Sequence, residues 1–383
     1  MFFRYLSSFA VVLLQFHCSC AAGVQQKWEQ MGSIQRIDRP KPWLARYRGP
    51  DGRQHSRTFK RKIDAERWLR TEESRGDRGE WVDPAAGQVT FSEWSETWLD
   101  GLDLKPATRA NYVSNLNSRV LPTFGSTQLA RITPAAVRSW QTRLRDVGLS
   151  AASIRQARQV LSAALEVAVA DGLIVRNPAA SVKPPKVRPR RQQFLTVEQV
   201  ETLAGACEDR QQGAGAVVFF LAWSGLRWGE AVALRWENVD IERRRVEVKA
   251  SATEVSGRLE WGSPKTHEER AVILPQFVID RLGPPGRLDS LVFSAPRGGP
   301  LRNSNFRRGV WDPSVKVSGM PTDLVPHDLR DTAASLMIAS GASIKAVQRA
   351  LGHASAAMTL DTYGGLFEDD LEDLANRMEE RYG

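Results

Sequence analysis

Four short segments in the second half of the chain carry side chains that can bind or attack a phosphate group. In chain order these are Arg227 with Glu230, Lys265, His327 with Arg330, and His353 with Tyr363. Arg227 stands at the start of a predicted helix, and Lys265 lies in a turn between two predicted strands. His327 and Arg330 are three residues apart and therefore share one face of a predicted helix. Arginine offers paired donors to phosphate oxygens, and a tyrosine hydroxyl can act as a nucleophile.

Each of these segments is a weak signal by itself, but their order and spacing together resemble the tyrosine recombinase (phage integrase) family. The resemblance covers residues 195–365 at the level of motifs, and it extends more loosely to the two preceding domains. The active-site positions of the family would fall on Arg227, Lys265, His327, Arg330, His353 and Tyr363. Glu230 matches a position where an acidic residue supports the first arginine.

The resemblance implies a mechanism in which Tyr363 attacks a DNA phosphodiester, forms a 3′-phosphotyrosine and releases a 5′-hydroxyl. Arg227 and Arg330 would hold the non-bridging oxygens, and Lys265 would protonate the leaving 5′-oxygen. His327 would assist proton transfer from the tyrosine, and a further histidine, at position 353, would donate a hydrogen bond to the phosphate. The covalent bond conserves the energy of the broken one, so no ATP is expected. Because arginines supply the positive charge, neither a metal nor another cofactor is expected.

Each site residue also has an ordinary structural alternative. Arg227 could serve only as the ion-pair partner of Glu230, and Lys265 could be a solvated hairpin residue. His353 could cap a helix, and Tyr363 could be an amphipathic residue of the core or the surface. The complete set in the expected order favours the catalytic interpretation.

The overall charge favours a polyanionic partner. The chain has 383 residues and a formal net charge of +9, which favours nucleic acid first and a membrane surface second. Of three cysteines only Cys207 lies in the body of the chain, so neither a disulfide framework nor a cysteine-based zinc site can be built there.

The first 30 residues differ from the rest of the chain in composition and pattern. Residues 1–23 have the charged, apolar and small-residue order of a secretory signal, and the apolar stretch is too short to span a membrane comfortably. Members of the resembled family do not begin with such a segment. We therefore interpret residues 1–30 as a start assigned too far upstream, with folded sequence from Met31; a real signal, which would export the protein, is the alternative.

Residues 31–85 are predicted to form a small arm-type DNA-binding domain of three strands and a helix. The strands cover residues 33–37, 43–48 and 54–59, with a Gly-Pro-Asp-Gly turn at 49–52, and the helix covers 62–75. Basic residues on a short sheet suit insertion into a DNA groove, although a solvated basic face is the alternative. The candidate DNA-binding residues here are Arg46, Arg48, Arg57 and Lys60.

Residues 88–182 are predicted to form an all-α core-binding domain. Its helices start after Thr90, near Pro106, at Pro134 and after Ser150, and the second is expected to cover residues 107–120, with Pro122 and Gly125 breaking it. The linker at 183–194 is basic and stiffened by proline, so it could follow a phosphate backbone or act as a solvated hinge. Its candidate DNA-binding residues are Lys186, Arg188, Arg190 and Arg191.

Residues 195–383 are predicted to form the mixed, mainly helical catalytic domain. Short strands are expected at 245–249, 259–261 and 271–274, and helices at 196–206, 275–282, 303–317, 327–339, 343–351 and 369–381. The last helix has an apolar stripe. The resemblance implies that such a tail docks on a neighbouring protomer in a DNA-bound tetramer, and packing within the chain is the alternative.

The predicted fold class is therefore a multidomain protein of the DNA breaking-rejoining type, with a β-rich head, an all-α domain and a mainly α catalytic domain with a small antiparallel sheet. The predicted function is a site-specific integrase that acts in the cytoplasm on core and arm sites in double-stranded DNA, as a homotetramer. A host bending factor and a directionality factor are the further partners that this function could require. The alternatives are a chromosome-dimer resolvase, a type IB-like topoisomerase, and a non-catalytic DNA-binding protein of the same fold.

Overall fold

The computed structural model describes residues 32–78, 81–83, 85–187, 190–264, 269–366 and 370–383; for 370–374 and 377 it describes the backbone alone. The N-terminal segment 1–30, Arg188 and Lys265, for which predictions are made above, lie outside these residues. The described chain divides into two compact units. One comprises residues up to 102 together with 115–186, and the other comprises residues 103–114 together with 187–383.

The first unit begins with the predicted three-stranded sheet and its helix. The strands are antiparallel in the order β1-β2-β3, and they are followed by a helix: β1 Ser33–Arg36, β2 Trp43–Arg48, β3 Gln54–Phe59 and α1 Lys62–Asp77. Alternate residues of β2 are buried, with Ala45 and Tyr47 on the inner face, and α1 contributes Ala65 and Leu69 to the same small core. The predicted strands and helix are confirmed here.

The rest of the first unit is helical, as predicted. Its helices are α2 Phe91–Asp100, α4 Leu121–Phe124, α5 Pro134–Asp146 and α6 Ala151–Ala170. The helix α3 Pro106–Asn115 belongs to the second unit except for its last residue. Thr90, Thr133 and Ser150 each accept a backbone N–H of the first helical turn, as expected of residues that cap helices. Trp140 is fully buried and donates its ring N–H to the carbonyl of Arg119 at 2.9 Å.

The expected end of the second helix at residue 120, before Pro122, is wrong. Between α3 and α4 the chain continues through a π-helical turn, Leu116–Val120, and Pro122 lies in the first turn of α4. In the wider turn the N–H of Leu121 donates to the carbonyl of Leu116, five residues back. The local change from the α to the π pattern accommodates a proline that has no N–H to donate. The helical path therefore ends at Gly125, the second of the two residues expected to break it, and not at the proline.

The second unit contains ten further helices among the described residues, built around one apolar helix. They are α7 Val197–Glu208, α8 Ala214–Ser224, α9 Trp228–Val232, α10 Gln276–Asp280, α11 Asn303–Phe306, α12 Asp312–Val317, α13 Asp328–Ala339, α14 Ile344–Leu351, α15 Ala356–Tyr363 and α16 Asp370–Tyr382. Helix α8 packs against both α7 and α13, and most of its residues are buried. An all-round apolar helix of this kind forms the centre of a domain.

Two small antiparallel sheets complete the second unit. One has the order β4-β5-β8 and the other is the hairpin β6-β7, with β4 Val239–Asp240, β5 Arg245–Val248, β6 Ser251–Val255, β7 Arg258–Gly262 and β8 Arg270–Ile273. The predicted strands β5, β7 and β8 are confirmed, whereas β4 and β6 were not expected. Ser256 and Gly257 both have positive φ, which produces the tight two-residue turn that joins β6 to β7.

Within the described residues no helix is long and apolar enough to cross a membrane.

The helix that ends at Tyr363, α15, was also not expected from the sequence. Ser355 caps it by accepting the N–H of Met358 at 3.2 Å. Ser355 was the local signal that could have predicted α15, because serine is a preferred residue at the N-cap of a helix.

Candidate active site

Arg227 is placed by a sharp turn between α8 and α9. Gly225 has a φ of +66°, which ends α8, and Arg227 then forms the N-cap of α9. The backbone N–H of Arg227 donates to Oε2 of Glu230 at 2.9 Å, and its Nη1 donates to Oε1 of the same carboxylate at 2.9 Å. Glu230 thus binds both the main chain and the side chain of Arg227, as expected for an acidic group that supports an arginine.

A second arginine, Arg270, also binds the carboxylate of Glu230. Nη2 and Nη1 of Arg270 donate to Oε2 and Oε1 of Glu230 at 2.6 and 3.1 Å, and Nε donates to the carbonyl of Ala350 at 3.2 Å. Burial by itself would raise the pKa of Glu230, but the hydrogen bonds from Arg270, and then from Arg227, outweigh it and lower that pKa. Glu230 is therefore an anion held by two cations.

Arg330 connects two motif segments through their main-chain carbonyls. Its Nη1 donates to the carbonyl of Gly225 and its Nη2 to that of Leu351, both at 2.6 Å. Arg330 is 3% exposed, and burial, followed by repulsion from Arg227, lowers its pKa to about 10. It remains charged at neutral pH, and it retains N–H groups beyond these two bonds for the oxygens of an anionic ligand.

His353 and Tyr363 face one another across the start and the end of α15. Their rings are stacked, with centroids 6.2 Å apart and planes 5° from parallel. Nδ1 of His353 lies 3.0 Å from the hydroxyl of Thr359, which fixes the orientation of the ring. Burial, and then the charge of Arg330, lower the pKa of His353 to about 4. The imidazole is neutral at physiological pH, in the state that can donate one hydrogen bond and accept another.

The hydroxyl of Tyr363 donates to Oδ1 of Asp331 at 2.6 Å. Tyr363 is 2% exposed and packs with Ala334, Val347 and Leu351 in a small apolar cluster. Burial raises the pKa of Tyr363, and the bond to the Asp331 carboxylate raises it further. The phenol is therefore protonated at neutral pH in this arrangement.

His327 lies at the N-terminus of α13, one turn before Arg330. The surrounding protein partly desolvates its ring and so lowers the pKa of His327, and the carboxylate of Asp331 opposes this shift. Part of the side chain remains open to solvent. His327 and Arg227 both line a cleft of about 1210 Å³ in the second unit, together with residues of the β6-β7 hairpin.

The structure thus brings five of the six predicted catalytic residues into one unit around the first turns of α13. Lys265 lies outside the described residues. The strands on either side of it, β7 and β8, belong to different sheets. Three arginines and two carboxylates lie at the centre of this arrangement, which leaves an excess of positive charge that suits a phosphodiester. We define this set as the arginine cluster: Arg227, Arg270, Arg330, Glu230 and Asp331.

Two members of the arginine cluster were not identified from the sequence. Arg270 reaches Glu230 from 40 positions further along the chain, and Asp331 reaches Tyr363 across 32 positions. Single arginines and aspartates are common on surfaces, so their type alone gives no signal. The position of Asp331 beside Arg330 in the His-x-x-Arg segment was the one available indication.

The predicted DNA-binding residues of the N-terminal sheet lie on different faces. Arg46 and Arg48 alternate with the buried Ala45 and Tyr47, so both are on the face away from α1. Arg57 pairs with Ala45 and therefore lies on the α1 side, where its guanidinium is 5.4 Å from the ring centroid of Phe59. The fourth of these residues, Lys60, is exposed just after β3. A DNA groove that meets the open face would contact the first two residues and not Arg57.

Arg190, a candidate DNA-binding residue of the linker, is held by two carboxylates. Arg190 donates to both carboxylate oxygens of Asp328, at 2.9 and 2.8 Å, and it also bonds to Asp323. Asp328 is buried at the start of α13 and accepts the N–H of Val325 as well. Arg190 is thus occupied in holding the helix that carries Arg330. Lys186 and Arg191 are exposed, and Arg188 lies outside the described residues.

Three family models match the chain in series. The model described as Phage integrase family matches residues 193–368, the Phage integrase, N-terminal SAM-like domain matches 90–145, and the Phage integrase, N-terminal domain matches 30–78. A relative in Mycobacterium tuberculosis, named putative prophage phiRv2 integrase, is 32% identical over 343 residues, which cover 83% of this chain and 87% of that one.

Solved structures show the same fold. A Tn1549 transposon integrase in complex with transposon right end DNA is 21% identical, covers 75% of this chain and 100% of its own, and has a TM-score of 0.63. A lambda integrase tetramer bound to a Holliday junction is 20% identical, covers 84% of this chain and 96% of its own, and has a TM-score of 0.57. With the family models, the prophage relative and the arginine cluster beside Tyr363, the chain belongs to the phage integrase family and is a site-specific integrase of the tyrosine recombinase type.

Proposed function

We propose that this integrase breaks and rejoins double-stranded DNA through a 3′-phosphotyrosine formed on Tyr363, and that it integrates or excises a phage or another mobile element. One observation carries the proposal. Adjacent residues of α13 contact all the other described motif segments: Arg330 bonds to Gly225 and Leu351, and Asp331 bonds to Tyr363. A phosphate beside this turn would meet guanidinium donors and a phenol together.

In the proposed cleavage step the arginines hold the non-bridging oxygens while the phenol attacks phosphorus. Arg227 and Arg330 stabilise the charge that develops on these oxygens, each by roughly 10²–10³ in rate. His353, as a neutral imidazole, donates a hydrogen bond to the phosphate, and His327 assists proton transfer near the site. Lys265 protonates the 5′-oxygen as it leaves. Since the arginines provide the positive charge, the reaction requires neither metal nor ATP.

The remaining parts of the chain are proposed to position the DNA. Residues 31–85 would bind arm-type sites through Arg46 and Arg48, and through Lys60 after the end of β3, and residues 88–182 would bind the core site. The linker at 183–194 would follow the phosphate backbone through Lys186, Arg188 and Arg191. Such contacts add affinity without sequence specificity and make it dependent on salt. Residues 195–383 would carry the reaction.

We further propose that four protomers assemble on DNA, and that the reaction takes place in the cytoplasm. The lambda integrase of similar fold is a tetramer bound to a Holliday junction, which supports this assembly. Met378 on α16 is 55% exposed and is available to a neighbouring protomer. A host bending factor and a directionality factor would then select integration or excision.

The test is recombination between two plasmids that carry the joined and unjoined flanks of the gene for this integrase, in buffer with EDTA and without ATP. We expect recombinant products from the wild type and none from Tyr363→Phe. Relaxation of a supercoiled plasmid that lacks these flanks, without recombinants, would favour a topoisomerase instead. Recombination that stops in EDTA and returns with a divalent cation would contradict the proposed role of the arginines.

A further inference from the structure

We propose that Asp331 is a further catalytic residue, which accepts the phenolic proton of Tyr363 during DNA cleavage. The inference deepens the proposed function and depends on it. Its basis is the contact between Oδ1 of Asp331 and the hydroxyl of Tyr363, at 2.6 Å, within the reach required of a general base. Among the described residues Asp331 is the hydrogen-bond partner of this hydroxyl.

The ring of His353, beside Tyr363, is oriented less favourably for this task. The ring of His353 is stacked nearly parallel to that of Tyr363, and a ring nitrogen donates and accepts in the plane of its own ring. In addition, Nδ1 of His353 is occupied by Thr359. His327 sits at the start of α13, where burial lowers its pKa and the charge of Asp331 opposes that shift. The carboxylate is therefore the base that the geometry directs at the nucleophile.

The position of Asp331 is fixed by the residues next to it. Arg330, one residue earlier on α13, is held by two main-chain carbonyls, so the helical turn that carries both side chains has little freedom. Tyr363 is held from the other side by its apolar neighbours in α13 and α14. The contact thus joins two constrained groups, which is the arrangement that general-base catalysis requires.

The proposed step conserves atoms and charge. Oη of Tyr363 forms a bond to phosphorus while the bond from phosphorus to the 5′-oxygen breaks. The proton on Oη moves to Asp331, and the 5′-oxygen receives a proton from the general acid, which we assign to Lys265. In rejoining, the 5′-hydroxyl attacks the phosphotyrosine and returns its proton to Lys265, and the departing Oη recovers its proton from Asp331. Each protonation state is restored at the end of the cycle.

A base in contact with the phenol is needed because the free phenolate is disfavoured here. Burial raises the pKa of Tyr363, and a nearby negative charge raises it further. Transfer of the proton to Asp331 as the bond to phosphorus forms avoids this separate ionisation. Such general-base assistance contributes typically 10²–10⁴ in rate.

The experiment compares Asp331→Asn with Asp361→Asn on a nicked, end-labelled suicide substrate. The amide of Asp331→Asn would keep an oxygen that accepts the hydroxyl hydrogen bond but cannot take the proton, and Asp361 is an exposed carboxylate on α15, two residues before the nucleophile. We expect adduct formation about 10²-fold slower in Asp331→Asn, unchanged in Asp361→Asn, and partly restored in Asp331→Glu. DNA binding should be equal in these three variants and the wild type.

A substrate with sulfur at the 5′-bridging position separates a base from an acid, because a thiolate leaves without a proton. Asp331→Asn should stay slow on it. If the sulfur substrate restored the rate of Asp331→Asn, Asp331 would act on the leaving group, and the inference would be overturned. A rate of Asp331→Asn on the ordinary substrate equal to or above that of the wild type would also overturn it. Failure of the wild type to form any adduct would instead overturn the proposed function, and this inference with it.

Discussion

The guanidinium of Arg270 and the carboxylate of Glu230 form a bidentate pair beneath the candidate active site, with N–O distances of 2.6 and 3.1 Å. The same carboxylate binds Arg227, and the same guanidinium binds the carbonyl of Ala350. Through this pair β8 connects the first arginine of the site to the segment that leads into His353. Arg270 is therefore a positioning residue for both.

Arg270→Gln should destabilise the protein by about 3 kcal/mol, because it leaves a buried carboxylate with one of its two cationic partners. Misplacement of Arg227 should also slow adduct formation by about 10²-fold while DNA binding persists. Urea unfolding and the suicide-substrate assay measure the two effects. Adding Glu230→Gln to Arg270→Gln should recover part of the stability. An Arg270→Gln protein with wild-type stability would contradict the role given to the pair.

Gly352→Ala should be more harmful than Gly341→Ala, although both glycines have positive φ, of +65° and +77°. A Cβ at Gly352 would lie 2.9 Å from Cδ of Arg270, whereas one at Gly341 meets nothing within 4 Å. Both changes should lose about 1 kcal/mol from backbone strain, and Gly352→Ala should lose about 1–2 kcal/mol more by displacing Arg270. Equal midpoints of urea unfolding for the two variants would show that the close approach has no consequence.

Acid should destabilise the folded protein partly through His353. Its pKa is about 4 in the folded chain and about 6.5 in an unfolded one. Between these values the unfolded chain binds a proton that the folded chain does not, so stability is highest above about pH 6.5 and falls as the pH decreases towards 4. Between pH 7 and pH 5 this effect amounts to about 1–2 kcal/mol, and it should be absent in His353→Gln. Identical pH dependence of urea unfolding in the two proteins would disprove it.

Arg190 and Lys186 should respond differently to removal. Arg190→Ala removes a hydrogen-bonded cation from the buried carboxylate of Asp328 and should lower the free energy of unfolding by about 1–2 kcal/mol. It should not change how DNA affinity depends on salt concentration. Lys186→Ala should leave stability unchanged but reduce the slope of log affinity against log salt by about 0.9. Binding titrations at several salt concentrations measure both slopes. A reduced salt slope in Arg190→Ala would show that Arg190 also binds a DNA phosphate.

The features predicted correctly from the sequence depend on local interactions. Thr90, Thr133 and Ser150 cap helices through bonds to residues three positions away, and such bonds leave a short, recognisable pattern. The three N-terminal strands follow from alternation and a glycine-proline turn in the same way. Local patterns could not predict the two-residue strand β4, nor the continuation of the helix past Pro122, where a π-helical turn compensates for the missing donor.

For the candidate site the types and order of the residues were sufficient to group Arg227, Arg330 and Tyr363 as parts of one mechanism. The contacts that hold them were not predictable, because they join distant positions through main-chain carbonyls and unremarkable side chains. Arg330, for example, binds the carbonyls of Gly225 and Leu351, which any residue could supply. Asp331 is a further case, since only the fold brings it to Tyr363.

The central claim is that Tyr363 becomes covalently joined to DNA. The most direct test is to trap the adduct on a nicked suicide substrate, digest it with trypsin and nuclease, and locate the modified peptide by mass spectrometry. We predict a nucleotide attached through its phosphate to the peptide of residues 350–377, in which Tyr363 is the one tyrosine. The adduct should be lost in Tyr363→Phe but not in Tyr382→Phe. An adduct that persists in Tyr363→Phe, or that maps to another peptide, would contradict the account.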